Sequence, residues 1–213
     1  MESTFNTPVL AACGMTETTH QASSVRLGDD QLTRLHTVGA PTGLSVRIVD
    51  GDGKTCPTGD TGEVWLRGPT VVRGYLNNSA ATAETFADGW VRTGDLGAVD
   101  NRGTITLTGR IKEQINRGGE KISPEHVEEV LTSHPSVAQA AVFGIRDPLY
   151  GERIAAVVVA RKGLHLDPAE LIAYSRDRLA PFEIPERITL ADKLPLTAKG
   201  AIDRSELAKD ARR

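Results

Sequence analysis

The pattern of apolar and polar residues changes near Arg110, and this change predicts two domains with different secondary structure. Residues 1–110 hold short apolar stretches separated by glycine-containing turns, which predict short strands and few helices. After Arg110, amphipathic helix patterns alternate with apolar, β-branched runs. We therefore expect an α+β chain with a β-rich domain over residues 1–110 and a small α/β domain over residues 111–213.

Short strand patterns dominate the first of these domains. The run 8–13 is apolar throughout and predicts a buried strand, and Val71-Val72 is expected to continue a strand over 63–68. Residues 80–86 are a candidate for a short helix. The remaining strand predictions are 44–49 and a pair formed by 89–92 and 103–107, with hairpin chemistry at 100–103.

The second domain carries clear helix start signals. Ser123 followed by Pro124 predicts an N-cap and the first helical position, and Asp167 followed by proline does the same for a second helix. The runs 137–143 and 154–160 are apolar and predict buried strands. The tail from Leu194 is expected to be a loop that leads into a short helix.

Composition and charge exclude several classes of function. The chain of 213 residues has a net charge of −3 and no basic run with interleaved aromatic residues, which argues against nucleic-acid binding. It has no apolar stretch long enough to span a membrane and no signal-peptide pattern at its start. Two cysteines without CxxC spacing provide no disulfide framework, so we expect a reducing, cytoplasmic location.

Two polar segments next to predicted strands offer ligand chemistry. Gly14-Met15-Thr16-Glu17 supplies a hydroxyl suited to a phosphate and a carboxylate suited to Mg²⁺, although a plain polar loop explains it equally well. Asp95 lies between two glycines, where it is either a ribose-binding carboxylate or an ordinary turn residue.

Two further segments contain glycine among charged residues. Gly118-Gly119 permits close approach of the backbone to a ligand, or forms a simple β-turn. The loop 195–204 carries little information by itself. The histidines lack metal-ligand spacing, and no Gly-x-Ser-x-Gly elbow or Walker-type loop is present in the sequence.

In their order along the chain, these segments resemble the C-terminal portion of the adenylate-forming superfamily, which includes acyl-CoA synthetases, peptide-synthetase adenylation domains and luciferases. The stretch Lys112 to Pro124 is most similar to the fatty-acid and oxalate–CoA ligase branch. The resemblance covers essentially the whole chain. It rests on Gly-Met-Thr-Glu (14–17), Arg-Thr-Gly-Asp-Leu-Gly (92–97), Gly-Arg-Ile-Lys-Glu (109–113) with Arg-Gly-Gly-Glu-Lys-Ile-Ser-Pro (117–124), and Pro-Leu-Thr-Ala-Lys-Gly-Ala-Ile-Asp-Arg (195–204).

The resemblance implies a two-step reaction and a role for each motif. A carboxylic acid attacks the α-phosphate of ATP to give acyl-AMP, and coenzyme A then displaces AMP. The implied nucleotide and metal residues are Thr16 at the α-phosphate, Glu17 at Mg²⁺, Cys13 and Gly14 against the adenine, and Asp95 with Arg110 at the ribose. The other implied roles are Lys112 at the hinge, Gly118 and Gly119 along the coenzyme A pantetheine tunnel, and His20 at the substrate carboxylate.

The sequence departs from the family pattern in two ways. The family's glycine-rich phosphate loop is absent, so we expect residues 1–110 to be the truncated end of a large AMP-binding domain and residues 111–213 to be its C-terminal lid domain. The family's adenylation lysine follows a glycine that corresponds to Gly200, but Ala201 stands there, and Lys199 lies two residues earlier. We therefore expect that this chain alone does not form acyl-AMP.

Other functions remain open on the sequence alone. The chain is also consistent with a non-catalytic module that is a substrate of a lysine acyltransferase, or with one half of a split enzyme. Within the enzyme class, an aryl-CoA ligase or a peptide-synthetase adenylation domain is the alternative. The second of these would transfer the acyl group to a carrier-protein thiol instead of coenzyme A.

Overall fold

The computed structural model describes residues 2–198 and 200–211 and divides the chain into two compact units. Unit 1 is Met1–Ile111 and unit 2 is Lys112–Arg213, so the division lies one residue from the expected boundary. Lys199 lies outside the described residues. None of the helices in the described ranges is both long enough and apolar enough to cross a membrane.

Unit 1 consists mainly of antiparallel strands. The elements are α1 (Glu2–Phe5), β1 (Ala12–Cys13), a 3-10 turn (Thr16–Thr18), β2 (Ser23–Ser24), α2 (Gln31–His36), β3 (Ala40–Pro41), β4 (Ser45–Val49), β5 (Gly62–Arg67), α3 (Ser79–Thr85), β6 (Phe86–Ala87), β7 (Trp90–Val99) and β8 (Ile105–Arg110). Strands β1, β2 and β3 form a small three-stranded sheet. A second sheet has the order β4-β5-β7-β6, with β8 also paired to β7.

Two strand predictions in this unit are wrong. The run 8–13 pairs only at Ala12–Cys13, and Val9 and Leu10 are exposed. Val71-Val72 does not continue β5, because the backbone turns away after Arg67 and Val72 instead donates its N–H to the Glu17 carbonyl. An apolar run shows that a segment prefers burial, but it does not show which neighbouring strand is there to receive it.

Strands form over most of 89–92 and 103–107, but the prediction that these two segments pair with each other is wrong. Val91 and Arg92 pair with β5, whereas residues 105–107 pair with 97–99 farther along β7. Strand β7 continues to Val99 and pairs with β8 through a hairpin at residues 100–104. The Asp100 carboxylate accepts hydrogen bonds from the Arg102 and Thr104 amides and so closes this hairpin. The core of unit 1 lies beneath the second sheet and includes Ala22, Leu44, Ile48, Val64, Leu66 and Val91.

Unit 2 is a five-stranded mixed sheet with helices. After a 3-10 turn at Ile111–Glu113, the elements are β9 (Ile115–Arg117), β10 (Glu120–Ile122), α4 (Pro124–Thr132), β11 (Val137–Asp147), β12 (Gly151–Ala160), α5 (Pro168–Arg176), β13 (Arg187–Leu190) and α6 (Arg204–Asp210). The strand order is β10-β9-β12-β11, and β13 pairs in parallel with β12.

Both faces of the unit 2 sheet are covered, which explains why its central strands are apolar at successive positions. Alternate residues of a strand point to opposite faces. In β11, Ala140 and Val142 belong to the core under α4 and α5, whereas Ala141 and Phe143 pack on the other face with Leu207 of α6. The predicted caps are confirmed, since Ser123 Oγ accepts from the His126 amide and Asp167 accepts from the Ala169 amide.

Candidate functional site

A sharp turn follows β1 and carries the first predicted motif. A Cβ atom added to Gly14 would lie 1.5 Å from the His20 carbonyl oxygen, so only glycine fits there. Thr16–Thr18 form a single 3-10 turn, and Thr19 and His20 then adopt left-handed backbone angles, with φ of 57° and 80°. The side chains of Thr16 and His20 in this turn are exposed to solvent.

A bulge in β7 carries the second motif. Glu63 pairs with Leu96 and Trp65 pairs with Arg92, so the three residues 93–95 face the single residue Val64. Inside the bulge, the Thr93 hydroxyl donates to the Val64 carbonyl at 2.7 Å and accepts from the Asp95 amide at 3.0 Å. Asp95 is therefore held inside a bulged strand rather than in a turn between strands.

Asp95 and Arg110 are direct cross-strand partners. Arg110 Nε lies 2.7 Å from Asp95 Oδ1, with the arginine side chain 49% exposed. An ion pair this exposed contributes little to stability, on the order of 1 kcal/mol or less. Its main effect is to orient the carboxylate. Burial raises the pKa of the Cys13 thiol, the Asp95 charge raises it further and Arg110 opposes the rise, so Cys13 remains a neutral thiol at pH 7.

One cavity in unit 1 brings four of the predicted residues together, namely Cys13, Gly14, Asp95 and Arg110. Apolar side chains of the core form most of its remaining wall. Its volume is about 50 Å³, which is too small to enclose a nucleoside, so a ligand of that size would lie across its opening. There the oriented Asp95 carboxylate is suited to accept hydrogen bonds from hydroxyl groups. The other lining residues are Met15, Ala22, Val38, Val64, Leu66, Thr93, Ile105 and Leu107.

Glu17 lines a second cavity of unit 1, next to the first. The phenol of Tyr75 donates to Glu17 Oε1 at 2.6 Å. Glu63 and Arg92 also line this cavity, but the Glu63 carboxylate already accepts hydrogen bonds from the Trp65 indole and the Gly94 amide. Glu84 lines this cavity as well, so Glu17 and Glu84 are its two acidic side chains suited to a ligand, and Tyr75 orients Glu17 through one of its oxygens.

The donor set at Glu17 fits one mode of Mg²⁺ binding. Across residues 2–198 and 200–211, no three His, Cys, Asp or Glu side chains form a group that could hold a metal by themselves. Mg²⁺ is commonly held by one or two carboxylates together with the phosphates of a nucleotide. Glu17 therefore fits an ion that arrives with a nucleotide and does not fit a resident metal.

Gly118 and Gly119 of unit 2 form the two-residue turn between β9 and β10. Their φ angles of 63° and 98° are left-handed, as a tight hairpin of this type requires. The Gly118 amide donates to the Tyr150 carbonyl at 2.7 Å, and the Gly119 amide donates to Asn116 Oδ1 at 3.1 Å. The glycine pair is exposed, and these two hydrogen bonds fix its backbone. Such a turn is suited to contact a ligand through its backbone.

The loop that holds Ala201 folds back on itself. Leu196 pairs with Ile202, the Thr197 amide donates to the Ala201 carbonyl at 2.8 Å, and the Thr197 hydroxyl accepts from the Ala201 amide at 3.2 Å. The side chain of Ala201 is exposed. Lys112, also exposed, lies in the 3-10 turn at the start of unit 2, next to Glu113.

A charged cluster in unit 2 was not predicted from the sequence. Arg204 donates to Glu113 at 2.7 Å and to both oxygens of Glu128 at 2.9 Å, and it approaches Glu125 at 3.5 Å. Arg204 and Glu113 belong to quoted motifs, whereas Glu125 and Glu128 do not. The sequence indicates Glu128 only weakly, as a charged residue next to the buried face of α4. It gives no indication of the contact between Tyr75 and Glu17, because 58 residues separate them.

Comparison with protein families supports the resemblance. The family described as AMP-binding enzyme matches residues 1–76, and the family described as AMP-binding enzyme C-terminal domain matches residues 126–201. Together these two matches cover most of the chain.

Curated relatives are carboxylate–CoA ligases. The chain is 43% identical over 208 residues to the oxalate–CoA ligase of Arabidopsis thaliana, a match that covers 98% of this chain and 40% of that protein. It is 39% identical over 211 residues to the sulfoacetate–CoA ligase of Cupriavidus necator, covering 99% of this chain and 41% of that protein. The chain thus spans about 40% of the length of these relatives.

Solved structures agree with this assignment. ATP-bound MatB from Rhodopseudomonas palustris superposes with a TM-score of 0.88 at 34% identity, covering 96% of this chain and 41% of that one. The o-succinylbenzoate CoA synthetase MenE from Bacillus subtilis, in complex with its acyl-adenylate intermediate, gives 0.83 at 35% identity, covering 94% and 41%. With two family matches and these relatives, the chain belongs to the AMP-binding, adenylate-forming enzymes.

Proposed function

We propose that this chain supplies the C-terminal part of an AMP-forming carboxylate–CoA ligase. The observation that carries the proposal is the cavity of unit 1, which collects Cys13, Gly14, Asp95 and Arg110 from three separate segments of the sequence. Residues 1–110 would be the end of the AMP-binding domain and residues 111–213 its C-terminal lid domain, with Lys112 at the hinge.

The residues of unit 1 act on ATP in this proposal. The apolar wall beside Cys13 and Gly14 receives the adenine, and Asp95, oriented by Arg110, accepts hydrogen bonds from the ribose hydroxyls. The Thr16 hydroxyl donates to the α-phosphate. Glu17 would hold Mg²⁺, and the ion would neutralise negative charge on the phosphates. The carboxylate of the acid attacks the α-phosphorus, and pyrophosphate leaves.

The residues of unit 2 act in the second half-reaction. The exposed backbone of Gly118 and Gly119 lines the path of the pantetheine arm of coenzyme A, whose thiolate attacks the acyl carbonyl and displaces AMP. The relatives named for oxalate and sulfoacetate favour a small acid with a second anionic group. His20, exposed at the end of the first turn, is our candidate for binding that acid.

Position 201 determines which half-reaction is weakened. A lysine there would place a positive charge where negative charge develops on the α-phosphate, and a single preorganised group of this kind contributes on the order of 10²–10³ in rate. Alanine provides no such charge. Two hydrogen bonds between Thr197 and Ala201, one of them accepted by the Thr197 hydroxyl, fix the register of the loop at position 201, which argues against a two-residue slip that would bring Lys199 to this position.

The test is a chimera in which this chain replaces the matching segment of MatB. We expect no carboxylate-dependent ATP–pyrophosphate exchange from the chain alone, and exchange that is about 100-fold faster in the A201K chimera than in the unaltered chimera. Transfer from synthetic acyl-AMP to coenzyme A should differ little between the two chimeras. Equal effects on both half-reactions, or robust exchange by the chain alone, would contradict the proposal.

A non-catalytic module modified by a lysine acyltransferase is the second candidate. Alanine at position 201 removes the amine that such an enzyme would acylate at this position of the loop, so the ligase proposal explains the chain better. A split enzyme would give the same chemistry through a separate partner chain, and co-purification of a larger protein would reveal it.

A further inference from the structure

The loop after β5 holds Glu17 at both its backbone and its carboxylate. The Thr19 hydroxyl donates to the Thr70 carbonyl at 2.6 Å, and the Val72 amide donates to the Glu17 carbonyl at 2.9 Å. The Tyr75 phenol then reaches the carboxylate itself, donating to Glu17 Oε1 at 2.6 Å. Three hydrogen bonds from one loop therefore fix the turn and the orientation of its acidic side chain.

Tyr75 is itself held in place. Its ring meets Phe86 edge-on with centroids 5.6 Å apart, and its amide donates to the Thr82 hydroxyl at 2.9 Å. The hydrogen bond to Glu17 raises the pKa of the Tyr75 phenol, burial raises it further, and a hydrogen bond from Thr85 opposes the rise. The phenol therefore keeps its proton at neutral pH and remains a donor to Glu17.

We propose that Tyr75 is the positioning residue of the metal-binding carboxylate. Its phenol occupies Oε1 of Glu17, fixes the side-chain rotamer, and leaves the second oxygen for the Mg²⁺ that accompanies ATP. Outer partners of this kind typically change metal affinity by about 10- to 100-fold, because a ligand that is already oriented loses less conformational freedom on binding. This inference rests on the proposed ligase function.

The hydrogen bond is tested on the full chain without any metal. The chain has three tyrosines, Tyr75, Tyr150 and Tyr174, so ¹³Cζ-labelled tyrosine gives three resonances that can be followed by NMR. The variant E17Q removes the carboxylate that accepts from the phenol, so the Tyr75 resonance at neutral pH should shift while those of Tyr150 and Tyr174, both in unit 2, stay in place. An unchanged Tyr75 resonance in E17Q would overturn the proposal.

The effect on the metal is tested in the A201K chimera with MatB. Mn²⁺ replaces Mg²⁺, and its affinity is measured by electron paramagnetic resonance with a non-hydrolysable ATP analogue bound. We expect Y75F to weaken Mn²⁺ binding by about tenfold or more, and the Mg²⁺ concentration for half-maximal exchange to rise by the same factor. The KM for the carboxylic acid should not change, because the phenol does not contact it.

A matched variant separates positioning from the general loss of a tyrosine hydroxyl. Y174F removes a hydroxyl that bonds to Ser133 in unit 2, so it should retain Mn²⁺ affinity within about twofold even where it lowers Tm. Equal loss of affinity in Y75F and Y174F, or none in Y75F, would overturn the role of Tyr75. A chimera that binds no nucleotide at all would instead overturn the ligase proposal on which this role depends.

Discussion

Arg204 joins three segments of unit 2 through one side chain, and its removal gives the most informative stability measurement. The guanidinium donates to Glu113, to both oxygens of Glu128 and to the Val142 carbonyl, at 2.7–3.1 Å. Its side chain is 23% exposed and that of Glu128 is 14% exposed. The variant R204M keeps the apolar stem of the side chain and removes only the charge and the hydrogen bonds.

The size of the effect is set by what happens to Glu128. Burial already raises the pKa of this carboxyl, while the Val142 amide and Arg204 both lower it. Without Arg204 the carboxylate is left with one hydrogen bond or takes up a proton. At pH 7, protonating a glutamate of ordinary pKa costs about 3.7 kcal/mol, so the loss from Glu128 cannot exceed about that value. We expect R204M to lower the free energy of unfolding by about 2–4 kcal/mol.

The loss should grow with pH. A carboxyl whose pKa is higher in the folded than in the unfolded state adds stability below its unfolded pKa and loses that stability as pH rises through its folded pKa. R204M raises the pKa of Glu128 further. The pH range over which the folded state loses stability therefore begins at about pH 4.3 and extends towards neutrality. At pH 5 the part of the loss that comes from Glu128 should fall to about 1 kcal/mol.

Urea unfolding followed by far-UV circular dichroism measures the effect at both pH values. Tryptophan fluorescence is unsuitable because Trp65 and Trp90 both lie in unit 1. Two variants serve as controls. E125Q should cost less than about 1 kcal/mol, and the double variant R204M/E128Q should recover most of the loss. A loss below about 1 kcal/mol at pH 7, or one that does not change between pH 5 and 7, would refute the reasoning.

Three further predictions concern the predicted motifs. Gly14→Ala places a Cβ 1.5 Å from the His20 carbonyl oxygen and should cost at least about 2 kcal/mol, measured as a lower urea midpoint; an unchanged midpoint would contradict the turn. Gly118→Ala strains a φ of 63° without a steric clash and should cost about 1 kcal/mol, so a loss as large as that of Gly14→Ala is not expected. Asp95→Asn removes a charge that raises the pKa of Cys13, so iodoacetamide should alkylate Cys13 faster, and a slower or unchanged rate would argue against their proximity.

The parts of the fold that depend on local chemistry were predictable. Ser123 and Asp167 cap the helices that the sequence indicated, because a side-chain oxygen within reach of the first free amides is a local requirement. The hairpin at 100–104 also follows from its own residues, with Asp100 closing the turn. The short strand at Ala12–Cys13 was overestimated because its partner, β2, consists of only two residues.

Only those site residues that belong to the ordered motifs could be predicted from the sequence. Asp95 and Arg110 could be named, but the bulge that orients Asp95 depends on the register between β5 and β7, which a single strand does not encode. Tyr75 could not be named at all. Its bond to Glu17 arises because the loop after β5 crosses the first turn, and that crossing is a property of the packed unit.

The loop around position 201 shows why a missing side chain need not mean a misfolded site. Every hydrogen bond that the structure assigns to Ala201 uses its backbone, and the Asp203 amide closes the loop by donating to the Pro195 carbonyl at 2.9 Å. Arg204 then anchors the end of the loop. Because the side chain at 201 is exposed and makes none of these bonds, a lysine fits there without rearrangement. Any gain in adenylation from A201K therefore measures the chemistry of the added charge and not a repaired fold.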